Sequence, residues 1–208
     1  MKKRRKLKKK VVVLIVLVAL LILSITGVIL YKTFASKSDV TSKVVDEIPE
    51  YGYTLEDDQP KIYKELFKEL AEVLSKDTVD EEKYAELISR MAAIDFYNLE
   101  NKVSKNDVGG VQFIREKNVD NFVLEASETV YKYIEQNIYG DRDQTLPEVT
   151  ASSIKDIKQE AYTYKNIKDE NAYVVTVNLE YKKDLDYPTE VIVKLLHTDK
   201  KLEIYEMS

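Results

Sequence analysis

Apolar and polar residues follow four successive patterns along the 208-residue chain. Val11 to Tyr31 is a continuous apolar run without a charge, and Lys32 to about Asp58 is polar and aperiodic. From there to about Ile138, apart from an irregular stretch over Asn98 to Lys117, apolar residues recur every three or four positions, the period of a helix with one buried face. From Ile154 onward they alternate, the period of a strand.

In the helical part, a first helix is expected after Asp57 or Asp58, with Pro60 in its first turn, where a missing N–H costs nothing. Ile62, Tyr63, Leu66, Leu70, Val73 and Leu74 form its stripe. A second helix starts at Thr78 or Asp80; Thr78 and Glu81 have capping-box spacing, and Tyr84, Leu87, Ile88, Met91, Ile94 and Tyr97 face inward. So short a connection predicts antiparallel packing. The paired glycines Gly109 and Gly110 mark a sharp turn leading into a short strand over Val111 to Ile114, or an exposed partner-binding loop. A third helix is predicted over about Val119 to Ile138, burying Val119, Phe122, Val123, Ala126, Val130 and Ile134 and ending before Gly140.

Four strands follow. Tyr162 and Tyr164 share a phase, as do Tyr173, Val175, Val177, Leu179 and Tyr181, then Val191, Val193 and Leu195, then Leu202 and Ile204. Short connections make them an antiparallel meander with one face buried. On the opposite face, Lys194 lies between Ile192 and Leu196, so that face is partly apolar and is a candidate interaction surface. The fold class is therefore α+β: a single N-terminal transmembrane helix, then about three helices packed on a four-stranded antiparallel meander sheet.

The 21 residues of Val11 to Tyr31 would span about 31 Å as a helix, the thickness of a bilayer's hydrocarbon core. Lys2, Lys3, Arg4, Arg5, Lys6, Lys8, Lys9 and Lys10 precede the run and would hold the N-terminus in the cytoplasm. A cleaved signal peptide usually has a shorter apolar region, and Thr33-Phe34-Ala35 matches its cleavage site poorly. The expected organisation is a basic stub over 1–10, a span over 11–31, a stalk over 32–58 and an extracytoplasmic domain over 59–208, in the cell membrane.

Of 32 basic residues, eight precede the span, leaving 24 against 37 acidic ones and a net of about −13 beyond it. That balance argues against a nucleic-acid partner and leaves the bilayer and other envelope proteins as expected ones. The chain has no Cys, so disulfides, thiol catalysis and thiolate metal sites are excluded, as is a lipid attached through Cys.

Candidate chemistry is sparse. His197 is the only histidine, no Gly-x-Ser-x-Gly elbow is present, and no His/Cys zinc set can form. No cofactor, metal or catalytic residue is assigned. His197 is expected at a strand's rim, and Asp80, Glu81 and Glu82 as complements of a helix dipole. Gly140 to Thr145 spaces its oxygen side chains like part of a calcium loop but lacks the central Gly and late Glu, so a solvated turn is expected. Tyr162, Tyr164, Tyr173 and Tyr181 are candidates to line a pocket, although aromatics in phase on a sheet usually belong to a core.

The order of elements, helices followed by a curved antiparallel sheet, resembles the nuclear-transport-factor-2-like (cystatin-like or SnoaL-like) cone superfamily. With a basic stub and one span it is similar to the single-pass inner-membrane assembly proteins of type IV secretion. The resemblance covers about Pro60 to Met207 and carries over no functional residue. It implies a dimerising scaffold or a pocket for a small ligand. Three readings follow: a non-enzymatic protein-interaction domain, with a homodimer among its expected states; a ligand-binding or sensory domain; or an enzyme using Asp and Tyr as acid and base.

Overall fold

The computed structural model describes residues 42–164 and 167–208, which lie in one compact unit, Val40–Ser208. The predicted span Val11 to Tyr31, the basic stub and Lys32 to Thr41 lie outside the described residues. Among the described residues no helix is long and apolar enough to cross a membrane.

The expected stalk gives way to structure at its far end. Strands β1 (Val44–Ile48) and β2 (Tyr53–Glu56) pair antiparallel around a turn in which Gly52 takes φ +66°. Tyr53 and Leu55 are buried, so β2 is part of the core rather than a tether. Helix α1 (Lys61–Leu74) has Pro60, not an Asp, at its N-cap, and buries the predicted stripe except Ile62, which is half-buried, with Phe67 added. Helix α2 (Glu81–Tyr97) starts where Asp80 accepts a hydrogen bond from the Lys83 N–H. Nearly every α2 residue from Tyr84 to Tyr97 is buried, because sheet and helices enclose it; it is the axis of the domain.

Two predicted elements differ. Val111–Phe113 is a 3₁₀ turn, not a strand, and only Ile114 reaches a strand, in a parallel bridge to Ile204. The third helix, α3 (Val119–Glu128), stops ten residues before the predicted Ile138. Thr129 leaves helical geometry, at φ −121° and ψ −96°, and Tyr131 then turns into the core. Its hydroxyl donates to the Phe96 carbonyl (2.6 Å) and accepts from the Gly109 N–H (3.0 Å). A buried tyrosine with both bonds satisfied outweighs the last turns of an exposed helix, whose propensity is worth only tenths of a kcal/mol per residue, ~0.5.

The sheet is the predicted meander, in the order β3 (Val149–Tyr164), β4 (Ile167–Tyr181), β5 (Glu190–Thr198) and β6 (Lys201–Met207). Its inward residues, Tyr173, Val175, Val177, Leu179, Val191, Val193, Leu195, Leu202 and Ile204, are buried in the core that contains α2. The Asn98 side chain at the end of α2 accepts from the Val149 N–H and fixes where β3 begins.

Strands β3 and β4 have 16 and 15 residues, against nine and seven in β5 and β6. The overhanging two-stranded ribbon, with a bulge between Glu160 and Tyr162, folds back over the sheet. It brings the Tyr162 ring within 4.8 Å of Tyr205 on the opposite edge strand, and Asp169 onto the His197 backbone N–H (2.7 Å). Ala172 and Leu196, on the face away from α2, are covered there and only 3% and 5% exposed.

This corrects the expected interaction surface. Leu196 is interior, Lys194 pairs with Glu206 at 3.0 Å, and Ile192 alone of the three is an exposed apolar residue, at 37%. Leu196→Asp should therefore destabilise the domain by about 3 kcal/mol or more, since it places an unpaired charge in a covered site. Ile192→Asp should stay within about 0.5 kcal/mol of the parent in urea denaturation; equal losses would contradict the covered face.

Candidate functional site

The densest polar cluster is buried and centres on Asp95, near the C-terminal end of α2. Its Oδ1 accepts from Lys102 Nζ (2.6 Å) and Gln59 Nε2 (2.9 Å), and its Oδ2 from the Gly110 N–H (2.6 Å). Both charged side chains are buried. Burial works to raise the Asp95 carboxyl, but the Lys102 ammonium and the hydrogen bonds from Gln59 and Gly110 outweigh it and hold the group below the usual carboxylate range. Burial works to lower Lys102, and Asp95 more than reverses it. The pair is ionised and its carboxylate is held by three donors, which makes it a fastening rather than an acid or a base.

Gly109 and Gly110 serve that fastening, which corrects their reading as an exposed binding loop: both are buried. A Cβ on Gly109 would lie 2.0 Å from the Asp95 carbonyl oxygen, so the backbones can approach this closely only at a glycine. Gly110 adopts φ +78° as it hands its N–H to Asp95. Sequence placed a turn here, but the two glycines gave no hint of the buried carboxylate on the other side.

Gly140 to Thr145 is likewise organised by a cation of the chain's own. The Arg142 guanidinium donates to the carbonyls of Lys102 (2.7 Å), Glu100 (2.8 Å) and Glu135 (3.3 Å), pinning the turn to the loop after α2. No group of three or more His, Cys, Asp or Glu side chains placed to hold a metal ion occurs among the described residues.

The candidate tyrosines do not converge. Tyr173 is buried, and its hydroxyl accepts from Gln159 Nε2 (2.7 Å). Tyr181 donates to the Pro188 carbonyl (2.8 Å) near Tyr187, and burial pushes its hydroxyl far up. Tyr162 packs on Tyr205, and the side chain of Tyr164 lies outside the described residues. A tighter aromatic set arises elsewhere: the Tyr53 and Tyr84 hydroxyls are 2.6 Å apart, and Tyr84 also accepts from the Leu202 N–H. Burial pushes Tyr84 up to about 12 and Tyr53 well above its ordinary value, so both hydroxyls stay neutral as they join β2, α2 and β6. His197 is the expected rim residue: its Nδ1 is 2.9 Å from Asp169, which also takes its N–H, and its Nε2 is 3.8 Å from Glu81.

Among the surface clefts of the described residues, two adjoin α3. A cleft of about 330 Å³ is bounded by Ile114, Phe122, Glu125 and the Ile204 to Met207 segment of β6. A second, of about 170 Å³, shares Phe122, Glu125 and Met207 with the first and extends to Phe96, Tyr97 and Val130. Neither is lined by Tyr162, Tyr173 or Tyr181. No family model, curated protein or solved structure matches the chain.

At pH 7, Asp95→Asn should cost about 3–5 kcal/mol in a denaturant titration, because Lys102 is left buried and unpaired. The folded carboxyl lies below its unfolded value of about 3.9, so its contribution is present above that pH and is lost as pH falls through the folded value. The gap between parent and variant should thus narrow below about pH 4. Gly109→Ala should cost at least about 2 kcal/mol. Gly52→Ala, with φ +66° but nothing within 4 Å, should cost only the left-handed strain of about 1–2 kcal/mol.

Proposed function

We propose that this is a single-pass membrane protein, cytoplasmic at its N-terminus, whose extracytoplasmic α+β domain binds other envelope proteins and catalyses no reaction. The observation that carries the reading is the junction of Lys2–Lys10 with the 21 charge-free residues Val11–Tyr31, the length of a bilayer span with its retained, positively charged flank.

Two features of the domain support the binding part. The inward face of the sheet is filled by α2 and its neighbours, which makes Tyr173 and Tyr181 part of that packing rather than the lining of a ligand chamber. Asp95, the most deeply buried carboxylate among the described residues, is committed to Lys102, Gln59 and Gly110, so it is not held in reserve as a proton donor. A domain stabilised this way and displayed at a membrane has its surface as its means of action.

Because the chain lacks Cys, Ser208→Cys introduces one thiol on an exposed side chain. A membrane-impermeant maleimide should label it on intact cells; labelling only after lysis would overturn the orientation. Mild crosslinking should recover the same partners from membranes in repeated preparations, and a chain that crosslinks to nothing would overturn the binding role.

A further inference from the structure

Helix α2 covers the inward face of the sheet unevenly. At its C-terminal end it is fastened to β3 through Asn98, which accepts from the Val149 N–H (2.8 Å). Two turns earlier Arg90 donates to the Ser152 hydroxyl (3.1 Å) and carbonyl (3.0 Å). Toward the N-terminus of α2 a cleft of about 410 Å³ opens, lined by Asp80, Glu82, Lys83 and Glu86 on one side and by Ile154 and Ile157 of β3 on the other. Ile154 and Ile157 stand opposite Val177 and Val175, so they belong to the inward face. The two valines are fully buried, but the isoleucines, on the strand that ends the sheet order, are only half-buried. The floor of the cleft is thus a strip of core-facing sheet that α2 leaves half covered.

Its rim is acidic. Lys83 is committed to Glu69 (2.9 Å) and Glu86 (3.1 Å), and Glu86 also takes Arg90 (3.0 Å). Asp80 receives the Lys83 N–H, and neither it nor the exposed Glu82 has an ion-pair partner among the described residues. The N-terminal end of the helix dipole supplies only about half a positive charge, too little to cancel both. Their field reaches the sheet: burial pushes the Tyr173 hydroxyl up, and Glu81, Glu82 and Asp80 add to that rise against the hydrogen bond from Gln159.

The lining selects the occupant. Small-molecule pockets are mostly apolar, whereas an apolar floor with a charged rim is the surface that an amphipathic helix recognises. Packed helices lie about 8–10 Å apart, and this strip is the place beside α2 on the same sheet face. A second copy would bring a net of about −13 beyond the predicted span, and the basic run Lys2–Lys10 lies across the membrane in the topology proposed above. A cationic helix of another protein meets its complement here.

We propose that the cleft between the N-terminal half of α2 and Ile154 and Ile157 of β3 receives an amphipathic helix of a partner protein, with its apolar face on the two isoleucines and its Lys or Arg residues against Asp80 and Glu82. This rests on the protein-binding reading above and names the surface and the chemistry of the partner.

The test uses the full-length chain in nanodiscs of uncharged lipid against a yeast-displayed library of random peptides of about 18 residues, five helical turns. The expected winners repeat apolar residues every three or four positions and carry Lys or Arg beside that stripe. A synthetic winner should bind about tenfold more weakly, or worse, to Glu82→Lys and to Ile157→Asp, and unchanged to Ile192→Asp. Glu82 is exposed, so its substitution leaves the fold intact. A Pro placed mid-peptide, off the apolar stripe, should also weaken binding about tenfold or more, a readout that needs no variant of the protein. Winners that are acidic, that alternate with a strand period, or that ignore Glu82→Lys or the Pro overturn the proposal. If no peptide is selected, photocrosslinkers at Ile157, Val45 and Lys183 in cells separate the two ideas. A product at Ile157 supports the cleft when the attached segment, mapped by mass spectrometry, is a cationic amphipathic helix of another protein; an acidic segment or a second copy overturns it. Products from Val45 or Lys183 but not Ile157 sink the cleft and leave the protein-binding reading standing. No product from any of the three counts against both.

Discussion

The buried ion pair of Asp95 with Lys102 is the constraint around which the helical half is assembled. One carboxylate takes a hydrogen bond from Gln59, just before α1, from Lys102, just after α2, and from Gly110, at the turn that leads toward α3. Three connecting segments without regular structure are thereby fixed to the end of one central helix. The turn of Gly109 and Gly110 approaches because neither has a side chain, Tyr131 locks it from outside, and Arg142 ties the following loop to the carbonyls of Glu100 and Lys102. Such a pair contributes little net stability compared with an apolar replacement, but breaking one half of it is costly, so it acts as a specifier of loop arrangement.

The sheet half depends on periodicity, and that half was legible from sequence. Val175, Val177, Leu179, Val191, Val193 and Leu195 are all interior, as their alternation requires, and the meander order follows from short connections. The first two helices were legible for the same reason. What escaped were contacts that periodicity does not encode. Tyr131 ends α3 early through hydrogen bonds to Phe96 and Gly109, distant in sequence, and Leu196 is covered by a ribbon whose reach depends on strand lengths and a bulge.

The candidate site shows the same division. Tyrosines in phase were correctly legible as sharing a face, yet Tyr173 and Tyr181 end in separate hydrogen bonds. Gly109 and Gly110 were legible as a turn, but their function is visible only with Asp95 opposite them. The cleft beside β6 had no sequence signature, because it arises where Ile114 stops pairing and α3 stops short of its periodic limit.

The union of β2, α2 and β6 through Tyr53, Tyr84 and Leu202 has a consequence for the order of assembly. Tyr53 and Leu202 lie 149 positions apart, and their contact closes the core across almost the whole described chain. Ribosomal synthesis delivers β2 and α2 long before β6 exists, so their apolar faces have no sheet to rest on until β4, β5 and β6 have been made. Closing that distance carries a larger entropic cost than forming the hairpins of the meander, so this contact depends on both halves being present. A domain built this way is vulnerable during its own production, because the apolar faces of its helices stay uncovered while the sheet is still being translated.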